Sequence, residues 1–454
     1  MLTLTMLSTL MPNALADDAQ QAAEVPQVAA AVAAQDQQPV EEEPAAEAEE
    51  AQEEEQQESE EPAEEEIQVQ AGEDNPAETG PETESSTVTD IDKNEWTFTA
   101  TEDTIQMEQG EQHITAELSS EGVLTFSGNG AMPALNDSTD ADSGKATGDY
   151  PWKDWKDSVT KIVIEDGITS VGAKSFITWG KVKEVFLGKD VQNIGAGAFA
   201  QMISCSTFTV DEENTSFKVD DGILYSADMT KLCYYPITKT DTVFNVPDCV
   251  TELGYNAICK NEFLQTISFT GDQSLKLGYG SLFGNTALTT VNLNRSDVDL
   301  GRLTFNVDTA LNVVYCETSE VKAAANKLVG DANSNAVALL KDGVYGQTSA
   351  DGYIYAADSE GAIICDYTGD ATELEIPSEI EGHPVLAIGA NAFANMDGTR
   401  SITKVTIPAS VKTIGKNAFL GGKDSTVQNT TLTDVTILGT DVEIGNMAFP
   451  CGVS

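Results

Sequence analysis

Large apolar residues recur along this chain at fixed offsets. From each start n they fall at n, n+3 and n+5, again near n+9, and in an apolar–Gly pair near n+12 and n+13. The triplets are Val159/Ile162/Ile164, Val182/Val185/Leu187, Cys205/Phe208/Val210, Leu264/Ile267/Phe269, Leu288/Val291/Leu293 and Leu311/Val314/Cys316. A weaker copy at Asp241 keeps only Phe244 and Val246. Alternation at n+3 and n+5 predicts a short strand with one face inward. The glycine pairs include Val171-Gly172, Ile194-Gly195, Leu300-Gly301, Ile388-Gly389, Ile414-Gly415 and Ile444-Gly445, each leading to Phe176, Phe199, Phe305, Phe393, Phe419 or Phe449. Looser copies are Leu253-Gly254 and Leu277-Gly278.

The first three starts lie 23 residues apart. That period falls in the roughly 20–29-residue leucine-rich class. It predicts a mainly β repeat solenoid with parallel strands, in which each repeat buries its face only against its neighbours. The alignment places Cys205 and Cys316 where other copies carry Val, Leu or Ile, so both are expected in the core. The glycine is expected where a Cβ would be blocked, and the phenylalanine inside the solenoid.

Two interruptions have hairpin character. Asp221-Gly222-Ile223-Leu224-Tyr225 with Lys231-Leu232-Cys233-Tyr234-Tyr235 is expected to protrude, and Gly352-Tyr353-Ile354-Tyr355 is expected to pair with Ala362-Ile363-Ile364-Cys365. Helical spacing of Val321, Ala324, Ala325 and Leu328 predicts a helix within 317–329 that closes a first repeat block, 159–338. A second block, 339–454, has strand starts at Ala371, Ile402 and Leu432, and it reads as incomplete because no closing cap follows. Upstream, Trp96-Thr97-Phe98, Ile114–Leu118 and Val123–Phe126 are expected strands of a β-rich N-terminal cap, 94–158. Trp152 and Trp155, beside Pro151, are read as cap core rather than sugar-stacking platforms.

Charge changes the picture at the N-terminus. The formal net charge of the 454-residue chain is −51, no Lys or Arg precedes Lys93, and 25 acids fall between Asp17 and Asp90. Segment 17–90, dominated by Ala, Gln, Pro and Glu, cannot bury enough apolar surface to offset chain entropy and is expected to be a disordered acidic stalk. Residues 1–16 read as a secretory signal lacking its basic leading region, with Ala14-Leu15-Ala16 before Asp17. The rest of the chain still carries about twice as many acids as bases, which argues against nucleic-acid or anionic-lipid binding. No segment is long and apolar enough for a transmembrane helix.

Catalytic and metal patterns are sparse. The only histidines are His113 and His383, the latter in a turn-like Glu381-Gly382-His383-Pro384. No zincin, nucleophile-elbow or phosphate-loop motif occurs. The loop Asp137–Gly144 is acidic but lacks EF-hand spacing. Seven scattered cysteines without C-x-x-C form neither a zinc site nor a disulfide framework. No catalytic residue, cofactor or metal is assigned.

The copy Ile402-Thr403-Lys404-Val405-Thr406-Ile407-Pro408-Ala409-Ser410-Val411-Lys412-Thr413-Ile414-Gly415-Lys416-Asn417-Ala418-Phe419 resembles the BspA-type leucine-rich repeats of bacterial surface proteins. The resemblance spans about 159–316 and 371–450 and extends to the Trp-rich cap and the Asp-Gly-Ile-Leu-Tyr hairpin. It implies a secreted or cell-surface, non-catalytic binding protein engaged in adhesion or protein–protein interaction, with a protein or glycan ligand. The other readings are a targeting region of a larger secreted enzyme and a structural surface-layer component. The expected ligand-facing row is the n+4 position of each strand: Val163, Phe186, Thr209, Asn245, Ser268, Asn292 and Tyr315. Alternation turns these outward, stacking is expected to join them into one continuous uncharged row, and Phe186 and Tyr315 are expected to be exposed.

Overall fold

Each repeat forms one turn of a β-solenoid and contributes a strand to a front sheet. The computed structural model describes residues 84–136, 149–331, 335–394, 401–420 and 431–450. The expected signal segment, the acidic stretch up to residue 83 and the loop Asp137–Gly144 lie outside the described residues. In the front sheet Lys161–Ile164, Glu184–Leu187 and Thr207–Val210 run parallel and in register, with Ile162, Val185 and Phe208 side by side. A second stretch of front sheet takes Val243–Val246, Thr266–Phe269, Thr290–Leu293, Val313–Cys316 and Val337–Leu340, again parallel. The apolar triplets point inward: apart from half-buried Val210, every member is buried, Cys205 and Cys316 included.

The 23-residue reading expected one strand per repeat, but each turn that carries the apolar–glycine pair makes a second strand just before that glycine. Glu252–Leu253, Leu275–Leu277 and Val298–Leu300 form a parallel ladder on the opposite wall. The glycine is required by the neighbouring turn rather than by an unusual φ. A Cβ at Gly301 would lie 2.4 Å from the Leu277 carbonyl oxygen, and one at Gly415 would lie 2.5 Å from the Ala390 nitrogen. Two residues later the chain goes left-handed, as at Gly197 (φ 66), Gly280 (φ 56), Asn417 (φ 57) and even Leu303 (φ 57). The phenylalanines behind it stack: Phe393 and Phe419 lie 4.9 Å apart, and Phe419 and Phe449 5.2 Å. In the middle turns buried Ile258 and Leu282 take that place.

The first insertion does not protrude. Phe217–Asp220, Ile223–Ser226 and Lys231–Tyr234 form an antiparallel sheet, and Lys231–Tyr234 pairs parallel with Glu252–Leu253. Phe217, Leu224 and Tyr234 join the core of the preceding turns, while Ile223, Tyr225, Leu232 and Tyr235 join that of the following ones. The insertion is therefore a wall buried on both faces. That explains consecutive apolar residues where a half-exposed hairpin would alternate.

Tyr353–Ala357 and Ala362–Tyr367 make the second hairpin. Tyr353, Tyr355, Ile364 and Tyr367 face the core of the later repeats. Ala356, with half-buried Ile363 and Cys365, packs on Val313, Val337 and Leu339. The helix is Ser319–Asp331. The expected block boundary at 338/339 falls inside strand Val337–Leu340, which completes the earlier front sheet.

At the N-terminal end five antiparallel strands, Glu84–Thr89, Glu95–Ala100, Thr104–Gln109, Gln112–Leu118 and Val123–Ala131, lead into the solenoid. Val123–Ala131 pairs in parallel with both Lys161–Ile164 and Ile168–Val171, so the cap continues both walls. The stalk boundary at 90 is corrected by Glu84–Thr89. Buried Asp90 then accepts hydrogen bonds from Trp96 Nε1 at 3.0 Å and the Asn94 backbone at 2.8 Å.

Candidate functional surface

The seven n+4 residues all lie on the outward side of front-sheet strands, opposite the buried positions. They form two rows rather than one. Val163, Phe186 and Thr209 are direct neighbours, as are Asn245, Ser268, Asn292 and Tyr315. Strands Thr207–Val210 and Val243–Val246 belong to different sheets, because the inserted wall intervenes between them in the chain. Thr209 and Asn245 are exposed; Val163, Phe186, Ser268, Asn292 and Tyr315 are half-buried. The expected exposure of Phe186 and Tyr315 is thus corrected: neighbouring strands bring their own side chains beside each ring.

Tyr315 also has a tertiary cover. Its neighbour across the ladder is Leu339, fully buried beneath the second hairpin, and Tyr315 packs against that same cluster. The open part of this row is therefore Asn245, Ser268 and Asn292, in which Asn292 Nδ2 donates to Ser268 Oγ at 2.9 Å. The other row extends into the cap through Thr125 and ends its uncharged run at Glu117. Sequence alignment of repeats missed Thr125 because the cap strand is not a repeat copy, although its alternation Leu124-Thr125-Phe126 was a usable signal.

A cleft of about 960 Å³ lies where the second hairpin meets the later repeats, lined among others by Asn335, Tyr345, Ile354, Cys365, Tyr367 and Asn391. Asn391 Nδ2 donates to Asn335 Oδ1 at 2.6 Å across its rim. Burial pushes the Cys365 thiol up to about 12, so it remains protonated at neutral pH and is a poor nucleophile. Burial does the same to Cys205 and Cys316, each to about 12.

The remaining candidates have structural positions. Trp152 is fully buried, its ring centroid 4.8 Å from that of Tyr150 and 5.0 Å from that of Phe126. Half-buried Trp155 donates from Nε1 to the Glu102 carbonyl at 3.2 Å. His113 lies exposed beside Glu108, whereas half-buried His383 follows a two-residue turn and sets Nδ1 3.2 Å from the Asp358 carbonyl oxygen. The two histidines sit on strands of different sheets. Among the described residues no helix is long and apolar enough to cross a membrane, and no group of three or more metal-binding side chains converges.

A parallel ladder on two walls, a glycine at each closest approach and stacked phenylalanines inside define a leucine-rich-repeat solenoid. The repeats are of the BspA type: the family model described as "BspA type Leucine rich repeat region" matches six copies over residues 147–226 and 365–452. Among solved structures, a leucine-rich repeat protein from Eubacterium ventriosum is similar at 18% identity, covering 74% of this chain and 92% of that one with a TM-score of 0.30. A leucine rich cell surface protein from Faecalibacterium prausnitzii is similar at 14% identity, covering 74% of this chain and 95% of that one, TM-score 0.23. The pneumococcal vaccine antigen PcpA is similar at 15% identity, covering 75% and 98%, TM-score 0.24. No curated protein matches the chain.

Proposed function

We propose that this chain is a secreted or cell-surface binding protein that engages an extracellular protein or glycan through the outward face of its front sheet, without catalysis of an external substrate. The observation that carries this reading is the uncharged open patch Asn245–Ser268–Asn292 on a chain of net charge −51. Surfaces depleted of charge and rich in hydrogen-bonding groups favour specific docking over electrostatic repulsion. The repeat family is one of surface proteins, which supports the extracellular placement. The purified chain, passed over immobilised extracellular-matrix proteins and a glycan array, is expected to bind at least one probe saturably. The double variant Asn245→Arg/Ser268→Arg is expected to lose that binding while keeping its melting temperature. Saturable binding that survives both substitutions removes the sheet face from the proposal, and absence of binding to every probe removes the adhesive role.

A further inference from the structure

Helix Ser319–Asp331 and the second hairpin meet at a group of side chains that repeat packing does not call for. Lys322 is the one buried lysine among the described residues, and it faces Asp358, itself 2% exposed. Lys322 Nζ lies 2.6 Å from Asp358 Oδ2 and 2.7 Å from Glu360 Oε2. Asp358 Oδ1 accepts from the backbone N–H of Glu360 at 2.9 Å and of Gly361 at 3.4 Å, while Oδ2 accepts from that of Leu340 at 2.8 Å. The Ser319 hydroxyl donates to the other oxygen of Glu360 and fixes its orientation. Val321, Leu339 and Ala356, all buried, lie close by in sequence or on the packed hairpin.

A buried ion pair brings little net stability over an apolar pair of the same shape. The arrangement has instead the parts of an acyl-transfer site: an amine, a carboxyl, backbone donors at one carboxyl oxygen, and a second carboxylate on the amine. We propose that Lys322 and Asp358 condense into an intramolecular amide, with Glu360 as the proton carrier.

The step balances without any co-reactant. A proton passes along the Nζ–Oδ2 hydrogen bond and leaves a neutral amine beside a neutral carboxyl. Nζ slides onto the face of the carboxyl and forms the Nζ–Cγ bond, and the negative charge that develops on Oδ1 meets the N–H groups of Glu360 and Gly361. Glu360 takes the second proton from nitrogen and gives it to the Oδ2 hydroxyl. The Cγ–Oδ2 bond then breaks, water departs and Glu360 is again a carboxylate. Holding both partners in contact supplies the effective concentration the condensation needs. Burial raises the Asp358 carboxyl, but hydrogen bonds from Lys322, Leu340 and Glu360 pull it below its ordinary value. The neutral pair is thus a minority state, and the reaction is a slow event that happens once per molecule. Its product ties the helix to the hairpin across two core clusters; the six described cysteines are all free and supply no such tie.

The test is the intact mass of the full chain, denatured and reduced. The expected result is a deficit of one water, mapped by proteolysis and tandem mass spectrometry to a branched peptide joining Lys322 to Asp358. Lys322→Arg and Glu360→Gln, each checked for a native circular dichroism spectrum, are expected to restore the full mass. Dehydration at the Asp-Gly sequences, such as Asp351-Gly352, would persist in Lys322→Arg and map elsewhere. A wild-type mass without the deficit, or a deficit that Lys322→Arg leaves in place, overturns the proposal. A deficit retained in Glu360→Gln overturns the role of Glu360.

Discussion

The backbone N–H of Asn285 donates to a side-chain oxygen of Asp308, 2.6 Å away, just as that of Asn261 donates to Asn285 at 3.0 Å. Asn285 returns its own amide group to the carbonyls of Ile258 and Leu282. Asp308 has no amide hydrogens to return, and its Oδ2 is buried without a partner. Burial pushes its carboxyl up to about 8.

The sign of the resulting pH dependence follows. The folded protein binds this proton more tightly than the unfolded chain, whose carboxyl titrates at the ordinary 3.8. Its contribution is fully present below the unfolded value, declines as pH rises, and is lost once the folded carboxyl ionises near 8. Asp308→Asn, which completes the ladder, is therefore expected to raise the melting temperature clearly at pH 8 and little at pH 4. A gain that is equal at both pH values would show that Asp308 does not titrate in this window.

Gly301 and Gly254 hold equivalent places but different space. A Cβ meets Leu277 oxygen at 2.4 Å in the first and nothing nearer than Leu232 oxygen at 3.5 Å in the second. Gly301→Ala is expected to destabilise by roughly 1–3 kcal/mol, the range for overpacking, and Gly254→Ala to be close to neutral. Chemical denaturation of the two variants compares them directly; equal losses would contradict the packing account.

Phe199 and Phe419 are buried within stacked pairs. Truncation of either to Ala is expected to cost roughly 3–5 kcal/mol. Near-wild-type urea midpoints in both variants would mean that the interior stack does not set stability.

The N-terminus separates composition from structure. Removing residues 17–83 is expected to leave the melting temperature unchanged, since their composition offers no core. Extending the deletion through Asp90 takes away the edge strand and the partner of Trp96 Nε1. That longer deletion is expected to lower the melting temperature by a few degrees, which differential scanning calorimetry resolves. Equal curves would place strand Glu84–Thr89 outside the cooperative unit.

By itself the sequence determined the period, the inward triplets, the core placement of Cys205 and Cys316, the helix after the first repeats and the need for glycine before each phenylalanine. These are legible because each turn contacts a near copy of itself, so one local pattern encodes both the strand and its neighbour. Tertiary structure alone decided that the first insertion is an internal wall, that Leu339 and Tyr315 are covered, and that Lys322 meets Asp358 and Glu360. Those contacts join unlike segments far apart in the chain, and no periodic pattern can register them. The run Ile223-Leu224-Tyr225 held part of the answer, since adjacent apolar side chains on a strand point to opposite faces and need a core on each. Which core each face would meet depended on the stacking of turns on either side.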